Sequence, residues 1–291
     1  MPSGGIKLKV GAIDIGTNSV RLLVAEPGQE KLNRLTERME VPRLGADINQ
    51  NGYLKEAAIE RTVEVLNEYK KIIDDRGAVP KAFATSAVRD ASNQQEFIRR
   101  VKKETEIEIT TISGEREASL SYLGVVSELT NLESNRLVVD IGGGSTELIT
   151  GQAEELLTYK SINLGAVRLK EQFGEDIKQL QKAAEKQVVL PESEVEQLVG
   201  AGGTITTLAA VKQKLETYNR NKVQGLQLIE QDIKEILDYL AERPLPVRAE
   251  IPGLSERRAD IIIPGIIILI KIMEKSELKK IIVSDAGLLE G

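Results

Sequence analysis

A short motif that occurs twice constrains the fold of this chain more than any other feature. The first copy, DIGTNSVRLL, begins at Asp14, and the second, DIGGGSTELI, begins 126 residues later at Asp140. Each copy follows an apolar strand pattern, crosses a turn of small residues and enters a second strand pattern. The separation is about the length of one domain. We therefore predict two related lobes that each open with a β-hairpin, with chance similarity of short segments as the alternative.

The turns of both copies are suited to binding phosphate. Glycine leaves no Cβ in the way of a ligand, and successive backbone N–H groups then form a concavity that fits phosphate oxygens. Ser19 and Ser145 add a hydroxyl donor to each turn. Asp14 and Asp140 cannot bind phosphate directly, but a carboxylate can hold a Mg²⁺ that bridges to phosphate. The pair of turns therefore predicts two phosphate-binding loops.

Strand and helix patterns alternate along the whole chain, which indicates an α/β protein with a substantially parallel sheet. We expect domain I over residues 1–125 and domain II over residues 126–291. The first strand is predicted over Lys7–Ile15, and Gly200–Gly203 reads as a glycine-rich turn before a helix. Glu256–Glu274 reads as one long apolar helix kinked at Pro264.

The composition excludes several classes of chemistry. The chain has no His and no Cys, which removes imidazole acid–base catalysis, Ser-His-Asp triads, thiol nucleophiles, disulfides and Cys- or His-ligated metals. Hard ions with oxygen ligands remain, chiefly Mg²⁺, Mn²⁺ and Ca²⁺. The net charge of −6 and 3% aromatic content argue against nucleic-acid binding. The most apolar run, Ile261–Ile270, is far below the roughly 20 residues of a membrane span.

Eight segments in the same order resemble one known family, the exopolyphosphatase/guanosine pentaphosphate phosphohydrolase (Ppx/GppA) family. They cover nearly the whole chain and read AIDIGTNSVRLLVAE (12–26), ATSAVRDASN (84–93), ISGEREASLSYLGV (112–125), VVDIGGGSTELI (138–149), INLGAVRLKEQF (162–173), GAGGTITTLAA (200–210), RRADIIIPG (257–265) and VSDAGLLEG (283–291).

The resemblance implies an α/β fold of two actin-like (ribonuclease H-like) domains with an active-site cleft between them, as in the acetate kinase/sugar kinase/Hsp70/actin superfamily. It further implies a cytoplasmic hydrolase with Mg²⁺ or Mn²⁺. That hydrolase would remove terminal phosphates from inorganic polyphosphate or from guanosine pentaphosphate, with no nucleic-acid or membrane partner.

The resemblance also implies roles for particular residues. It places the catalytic glutamate at Glu117, acidic positions associated with metal and water at Asp140 and Glu147, and phosphate-binding arginines at Arg21, Arg89 and Arg258. The two phosphate loops are Gly16, Thr17, Asn18 and Ser19 in the first copy and Gly142, Gly143, Gly144 and Ser145 in the second. We further expect Arg89 to act with Glu117 in catalysis, and Asp14 to bind metal from its place in the first turn.

Each of these residues has a structural alternative. Glu115 and Glu117 both fall in the first turn of a predicted helix, where acidic residues also stabilise the helix dipole. With no His in the chain, a carboxylate is the plausible base, which favours a catalytic Glu117. Strand alternation places Arg21 on the same face as Ser19. Arg258 is either a phosphate ligand or a helix-surface residue, and Gly200–Gly203 is either an anion site or a tight turn.

Two departures from the family pattern keep alternatives open. Gln224 stands where many members carry His, and Leu289 where they commonly carry Arg. The chain also ends without the terminal helix and helical domain of the longer members, which weakens the expectation of processive action on long polyphosphate.

A non-catalytic phosphate- or (p)ppGpp-binding regulator is one alternative function, and a sugar or acetate kinase relative is another. Ile261–Ile270 is either interdomain core or the surface of a homodimer.

Overall fold

The computed structural model describes residues 8–29, 31–130 and 132–291, which form two compact units. The first unit comprises the described residues up to Ser113 together with Glu290, and the second comprises Gly114–Leu289 and Gly291. In the described part of the chain, no helix is both long and apolar enough to cross a membrane.

The first unit is built on a five-stranded sheet in the order β3-β2-β1-β4-β5. Its strands are β1 (Val10–Ile15), β2 (Val20–Pro27), β3 (Leu32–Glu40), β4 (Val79–Ala84) and β5 (Ile109–Thr111). β1, β2 and β3 form an antiparallel meander, whereas β4 and β5 run parallel to β1. The helices are α1 (Ile48–Asn51), α2 (Glu56–Asp75), α3 (Ser86–Asp90) and α4 (Gln94–Thr105). The apolar stripe of α2 is buried in the core of this unit, as its i, i+3/i+4 spacing predicts.

The second unit contains a six-stranded sheet in the order β10-β11-β9-β6-β7-β8. Its strands are β6 (Asn135–Ile141), β7 (Thr146–Gln152), β8 (Glu155–Ile162), β9 (Gln197–Ala201), β10 (Gln227–Ile229) and β11 (Lys280–Val283). The helices are α5 (Gly114–Glu128), α6 (Ala166–Phe173), α7 (Ile177–Gln187), α8 (Gly202–Lys212), α9 (Arg220–Val223), α10 (Glu230–Ala241), α11 (Leu245–Arg248) and α12 (Ile262–Ser276). A large apolar core fills the space between this sheet and the helices α7, α8, α10 and α12.

The sequence repeat is a structural repeat. β6, β7, β8, β9 and β11 of the second sheet have the same order and directions as β1, β2, β3, β4 and β5 of the first. The turns also match, because Gly16 N–H donates to Ser19 O and Gly142 N–H donates to Ser145 O, each at 3.0 Å. This confirms the predicted α/β fold with two related lobes.

The structure differs from four sequence-based expectations. Both sheets are mixed rather than substantially parallel, because each begins with an antiparallel meander. The boundary between the units along the chain falls between Ser113 and Gly114 and not after residue 125. The helix α5 belongs to the second unit because it packs on β7 and β8 of the second sheet. The first strand begins at Val10, and Lys7 lies outside the described residues.

The fourth difference concerns the long apolar helix predicted over Glu256–Glu274. A short 3-10 helix occupies Glu256–Arg258, and α12 begins only at Ile262. Pro264 therefore lies in the first turn of α12, where its missing N–H costs no helical hydrogen bond, and no kink is needed. The Ile261–Ile270 segment is almost entirely buried in the core of the second unit, so it is neither the interdomain core nor the exposed dimer surface that the sequence left open.

Arg248 is a buried arginine whose hydrogen bonds connect three segments of the second unit. Arg248 is 1% exposed, and its Nη1 and Nη2 donate to the two carboxylate oxygens of Glu175 at 3.1 and 3.0 Å. Its remaining N–H groups donate to the carbonyl oxygens of Leu240, Ala259 and Arg243. All five donors of the guanidinium are thereby satisfied, which makes this buried charge tolerable.

This ion pair predicts an acid-dependent loss of stability. The hydrogen bonds from Arg248 hold the pKa of Glu175 at about 2, below its ordinary value of 4.5. A lowered pKa stabilises the fold fully above pH 4.5, and that contribution disappears as pH falls from about 4.5 to about 2. We therefore expect Glu175→Gln to lower the urea midpoint at pH 7, with a difference from the parent that shrinks steadily towards pH 2. Glu194→Gln, at an exposed carboxylate of the same unit, is the control and should change the midpoint little at either pH.

Candidate active site

The first predicted phosphate loop is held in place by neighbouring segments. Thr17 is buried, and its Oγ1 lies 3.0 Å from the Oγ of Ser86, the first residue of α3. The backbone of the same loop accepts two further hydrogen bonds, from Gly45 N–H to Thr17 O and from Arg43 N–H to Asn18 O. The loop therefore has a fixed conformation at the end of β1, beside the carboxyl end of the parallel strand β4.

Two predicted residues of the first unit lie on β1 and β2. Asp14 and Arg21 are directly opposite in the antiparallel pair, so that their side chains share one face of the sheet. Opposite residues in such a pair have Cβ atoms about 4.5–5.5 Å apart, close enough for their charges to interact. The alternation that placed Arg21 and Ser19 on one face thus also places Asp14 there.

Arg89 lies in α3, the short helix that follows β4. Its Nη1 donates to Ile112 O at 3.0 Å, and its Nε lies 3.9 Å from Asp90 Oδ1. Because Ile112 directly follows β5, Arg89 connects the carboxyl ends of β4 and β5. Ligands of α/β sheets typically bind at this edge, and the phosphate-binding role of Arg89 stays a prediction.

The second unit carries two carboxylates opposite one another. Asp140 on β6 and Glu147 on β7 occupy the positions that Asp14 and Arg21 occupy in the first unit. Ser121 Oγ donates to Asp140 Oδ2 at 3.1 Å, and Ser161 Oγ donates to Glu147 Oε1 at 2.9 Å. Both carboxylates therefore have a serine hydroxyl that fixes their orientation.

Glu117 lies in the first turn of α5 and is 9% exposed. Its neighbour Glu115, on the same turn, is exposed. Ser121 follows Glu117 by one helical turn, and residues with this spacing share a helix face. Since Ser121 reaches Asp140, the face of α5 that carries Glu117 is the face directed at the carboxylates of the second sheet. This burial distinguishes Glu117 from a solvated residue that only stabilises the helix dipole.

The second predicted loop has its carbonyl groups turned towards a helix. Gly142 O accepts from Ala166 N–H, and Gly143 O accepts from the N–H groups of Val167 and Arg168. In a trans peptide the carbonyl and the following N–H point in opposite directions. The N–H groups of Gly143 and Gly144 therefore point away from α6, as an anion-binding loop requires.

The glycine-rich segment before α8 is the end of a strand followed by the start of a helix. Gly200 belongs to β9, whereas Gly202 and Gly203 form the first turn of α8. Gly202 has φ +84°, and a Cβ there would lie 2.5 Å from Asp140 Oδ1. A Cβ on Gly203 would lie 1.7 Å from Arg258 Nη1, so the guanidinium rests directly against this helix N-terminus.

Arg258 therefore does not extend from a helix surface. Its Nη1 also lies 3.4 Å from Thr207 Oγ1, one turn further along α8. Positive charge at a helix N-terminus creates favourable conditions for an anion. The structure thus brings together two predicted features, Arg258 and the glycine segment, that the sequence treated separately.

The metal prediction can be compared with the donors present. In the described ranges, no three acidic side chains form a group able to hold a metal ion on their own. Asp140 and Glu147 nevertheless offer hard oxygen ligands on one face, and Mg²⁺ commonly uses one or two carboxylates and completes its octahedron with water and phosphate. These two residues fit such an ion, whereas Asp14 belongs to the first unit.

Sequence reasoning missed the residues that hold the site residues in place. Ser121 could have been found from its i+4 spacing to Glu117, but Ser86 and Ser161 depend on tertiary contacts that no local pattern encodes. Gln224, one of the two departures, has a structural contact, because its Oε1 accepts from the N–H of Asp285 at 2.6 Å.

Comparison with known proteins gives consistent results. The model of the Ppx/GppA phosphatase family matches residues 23–291. The chain is 37% identical to the bifunctional 3-dehydroquinate synthase/phosphatase of Fusobacterium nucleatum, over 96% of this chain and 45% of that protein. It is 30% identical to exopolyphosphatase 2 of Mycobacterium tuberculosis, over 97% of both. A solved structure of the Aquifex aeolicus PPX-GPPA enzyme matches with a TM-score of 0.83 at 39% identity, over 97% of both chains.

Proposed function

Because this chain belongs to the Ppx/GppA phosphatase family, we propose that it hydrolyses terminal phosphoanhydride bonds of inorganic polyphosphate, guanosine pentaphosphate or both. The observation that carries the proposal is the buried Glu117 on the helix face that reaches Asp140 through Ser121. Glutamate is seldom buried, because removing its charge from water is unfavourable, and buried ionisable groups are enriched at functional sites.

In this mechanism Glu117 orients a water molecule and accepts its proton as the water attacks the terminal phosphorus in line. The new P–O bond forms as the bond to the bridging oxygen breaks, so that the products are orthophosphate and a substrate shortened by one phosphate. With no His in the chain, a carboxylate is the group suited to this proton transfer. Correct orientation matters as much as basicity, since phosphoryl transfer depends mainly on positioning and electrostatics.

Asp140 and Glu147 would hold Mg²⁺ or Mn²⁺, which when bound neutralises charge on the phosphoryl oxygens. The N–H groups of Gly143 and Gly144 and the guanidinium of Arg258 would donate to phosphate oxygens in the second unit. In the first unit, Arg89 and the loop of Gly16, Thr17, Asn18 and Ser19, with Arg21, form the corresponding phosphate-binding set.

The proposal is tested by phosphate release from purified protein. We expect Mg²⁺-dependent release of orthophosphate from polyphosphate, and loss of release when EDTA is added. Parallel kcat/KM values for short polyphosphate, long polyphosphate and guanosine pentaphosphate then identify the preferred substrate. No release from any of the three, with Mg²⁺ or Mn²⁺, would refute the hydrolase and favour a phosphate-binding regulator.

The contact between Gly203 and Arg258 predicts a variant that moves the arginine without replacing it. The methyl group of Gly203→Ala would occupy the space of the guanidinium, which must swing away. The fold should tolerate this change because the displaced atoms end a flexible side chain, and Ala favours helix over Gly. We expect KM for polyphosphate to rise about 10–100-fold, because one or two charged hydrogen bonds to the substrate would be lost and each contributes about tenfold to affinity.

Arg258→Ala provides the control for this prediction. It should raise KM by a similar factor, and adding Gly203→Ala to it should have little further effect because both changes remove the same contact. Independent, additive effects of the two substitutions would show that Gly203 does not act through Arg258.

A further inference from the structure

Two serine hydroxyls contact the carboxylates of the second unit, and neither serine belongs to the hairpin they contact. Ser121 lies on α5 and is fully buried, whereas Ser161 lies on β8. Their Oγ atoms donate to Asp140 Oδ2 at 3.1 Å and to Glu147 Oε1 at 2.9 Å. A buried serine hydroxyl without a partner would be unfavourable, so the hydrogen bond to Asp140 accounts for the burial of Ser121.

One oxygen of the Asp140 carboxylate is held by a hydrogen bond, and the other lies beside the start of α8. Oδ2 accepts from Ser121, while Oδ1 occupies space that only a glycine at position 202 leaves open, because a Cβ there would approach it to 2.5 Å. Rotation of the carboxylate would therefore break the serine hydrogen bond. Glu147, directly across the strand pair, has its own restraint from Ser161.

The helix α5 connects this restraint to the candidate base. Glu117 and Ser121 are one turn apart, which places their Cβ atoms about 5–6 Å from each other on one face. The position of Glu117 relative to Asp140 is thus set by a single turn of a packed helix and one hydrogen bond.

We infer that Ser121 and Ser161 are positioning residues that hold Asp140 and Glu147 in the orientation for binding a divalent cation; this inference rests on the proposed function for the identity of the site. Mg²⁺ requires nearly ideal octahedral geometry, with oxygens at about 2.0–2.1 Å, so a rotated carboxylate is a poor ligand. Residues that hold metal ligands typically contribute about 10–100-fold to metal affinity.

The test compares Ser121→Ala with Ser127→Ala. Ser127 lies on the same helix, is exposed, and donates only to the carbonyl oxygen of Gly124. Mn²⁺ binding is measured without substrate, from the signal of free Mn²⁺ in electron paramagnetic resonance. We expect Ser121→Ala to bind Mn²⁺ about 10–100-fold more weakly, whereas Ser127→Ala should bind like the parent.

Turnover provides the second measurement. In Ser121→Ala the Mg²⁺ concentration for half-maximal phosphate release should rise by the same factor, while KM for polyphosphate at saturating Mg²⁺ stays within about twofold of the parent. Ser161→Ala should behave in the same way through Glu147, and it tests the inference if Ser121→Ala fails to fold.

Unchanged Mn²⁺ affinity in both folded alanine variants overturns the inference, even if the parent is an active hydrolase. Weaker Mn²⁺ binding supports it, even if no substrate is turned over. The inference and the proposed function can therefore fail separately.

Discussion

Glu117→Gln is expected to lower kcat for phosphate release by about 10²–10⁴-fold, the usual contribution of a general base. Glutamine preserves the size of the side chain and its ability to accept a hydrogen bond, but it cannot take the proton of the attacking water. KM for polyphosphate should change little, because the substitution leaves the phosphate-binding residues in place. The thermal midpoint should stay close to that of the parent, because glutamine fills the same buried space.

The chain supplies a matched control for this prediction. Glu115 lies in the same first turn of α5 but is exposed, so Glu115→Gln makes the same chemical change at a solvated position. Its kcat should stay within about twofold of the parent, because surface substitutions rarely affect a site they do not touch. If Glu117→Gln retains turnover and instead loses stability, Glu117 is a helix-stabilising residue and the base must be sought elsewhere.

The second large effect concerns stability. Arg248→Ala is expected to destabilise the second unit by about 3–5 kcal/mol, because it empties the space of a fully buried side chain, removes its ion pair with Glu175 and takes a donor away from three carbonyl groups. For a unit of this size, that loss lowers the thermal midpoint by roughly 6–20 °C. Thermal unfolding followed by circular dichroism measures the change directly.

Arg243→Ala is the comparison, because Arg243 is partly exposed and stacks over Tyr239 with its Cζ 3.6 Å from the ring centroid. Removing this contact should lower stability by only about 0.5–1 kcal/mol. Equal effects of the two substitutions would show that Arg248 contributes no more than a surface arginine. Because the hydrogen bonds from Arg248 are the largest cause of the lowered pKa of Glu175, the loss of Arg248 should also flatten the acid dependence of stability described above.

Much of the fold could be predicted because local patterns and tertiary structure agree. The repeated motif predicts two related lobes that each open with a β-hairpin, and both sheets contain that hairpin. The third strand, β3, is not predicted from the sequence, because its segment LNRLTERME lacks clear alternation of apolar and polar residues. Its strand conformation comes from pairing with β2, which is a tertiary interaction.

The candidate site was also only partly predictable from the sequence. Glu117, Asp140 and Glu147 could be singled out from motifs, and strand register then explains why the two hairpin residues are opposite one another. The hydrogen bonds that orient them could not be predicted from the sequence, because each depends on how α5 or β8 packs against the hairpin and not on a local pattern. The packing of Arg258 against Gly203 likewise joins segments more than fifty residues apart, and only the folded chain reveals it.

The two hairpins have the same strand pairing and turn, but their facing side chains differ in charge. In the first, Asp14 faces Arg21, so the facing pair is electrically neutral; in the second, Asp140 faces Glu147, and the pair is doubly negative. A neutral pair has little attraction for a free cation, whereas two facing carboxylates attract one strongly and repel a bare phosphate. The same hairpin backbone thus carries facing charges of different sign in the two units. Under the proposed function, the second hairpin would admit phosphate only with a cation bound, which screens its negative charge.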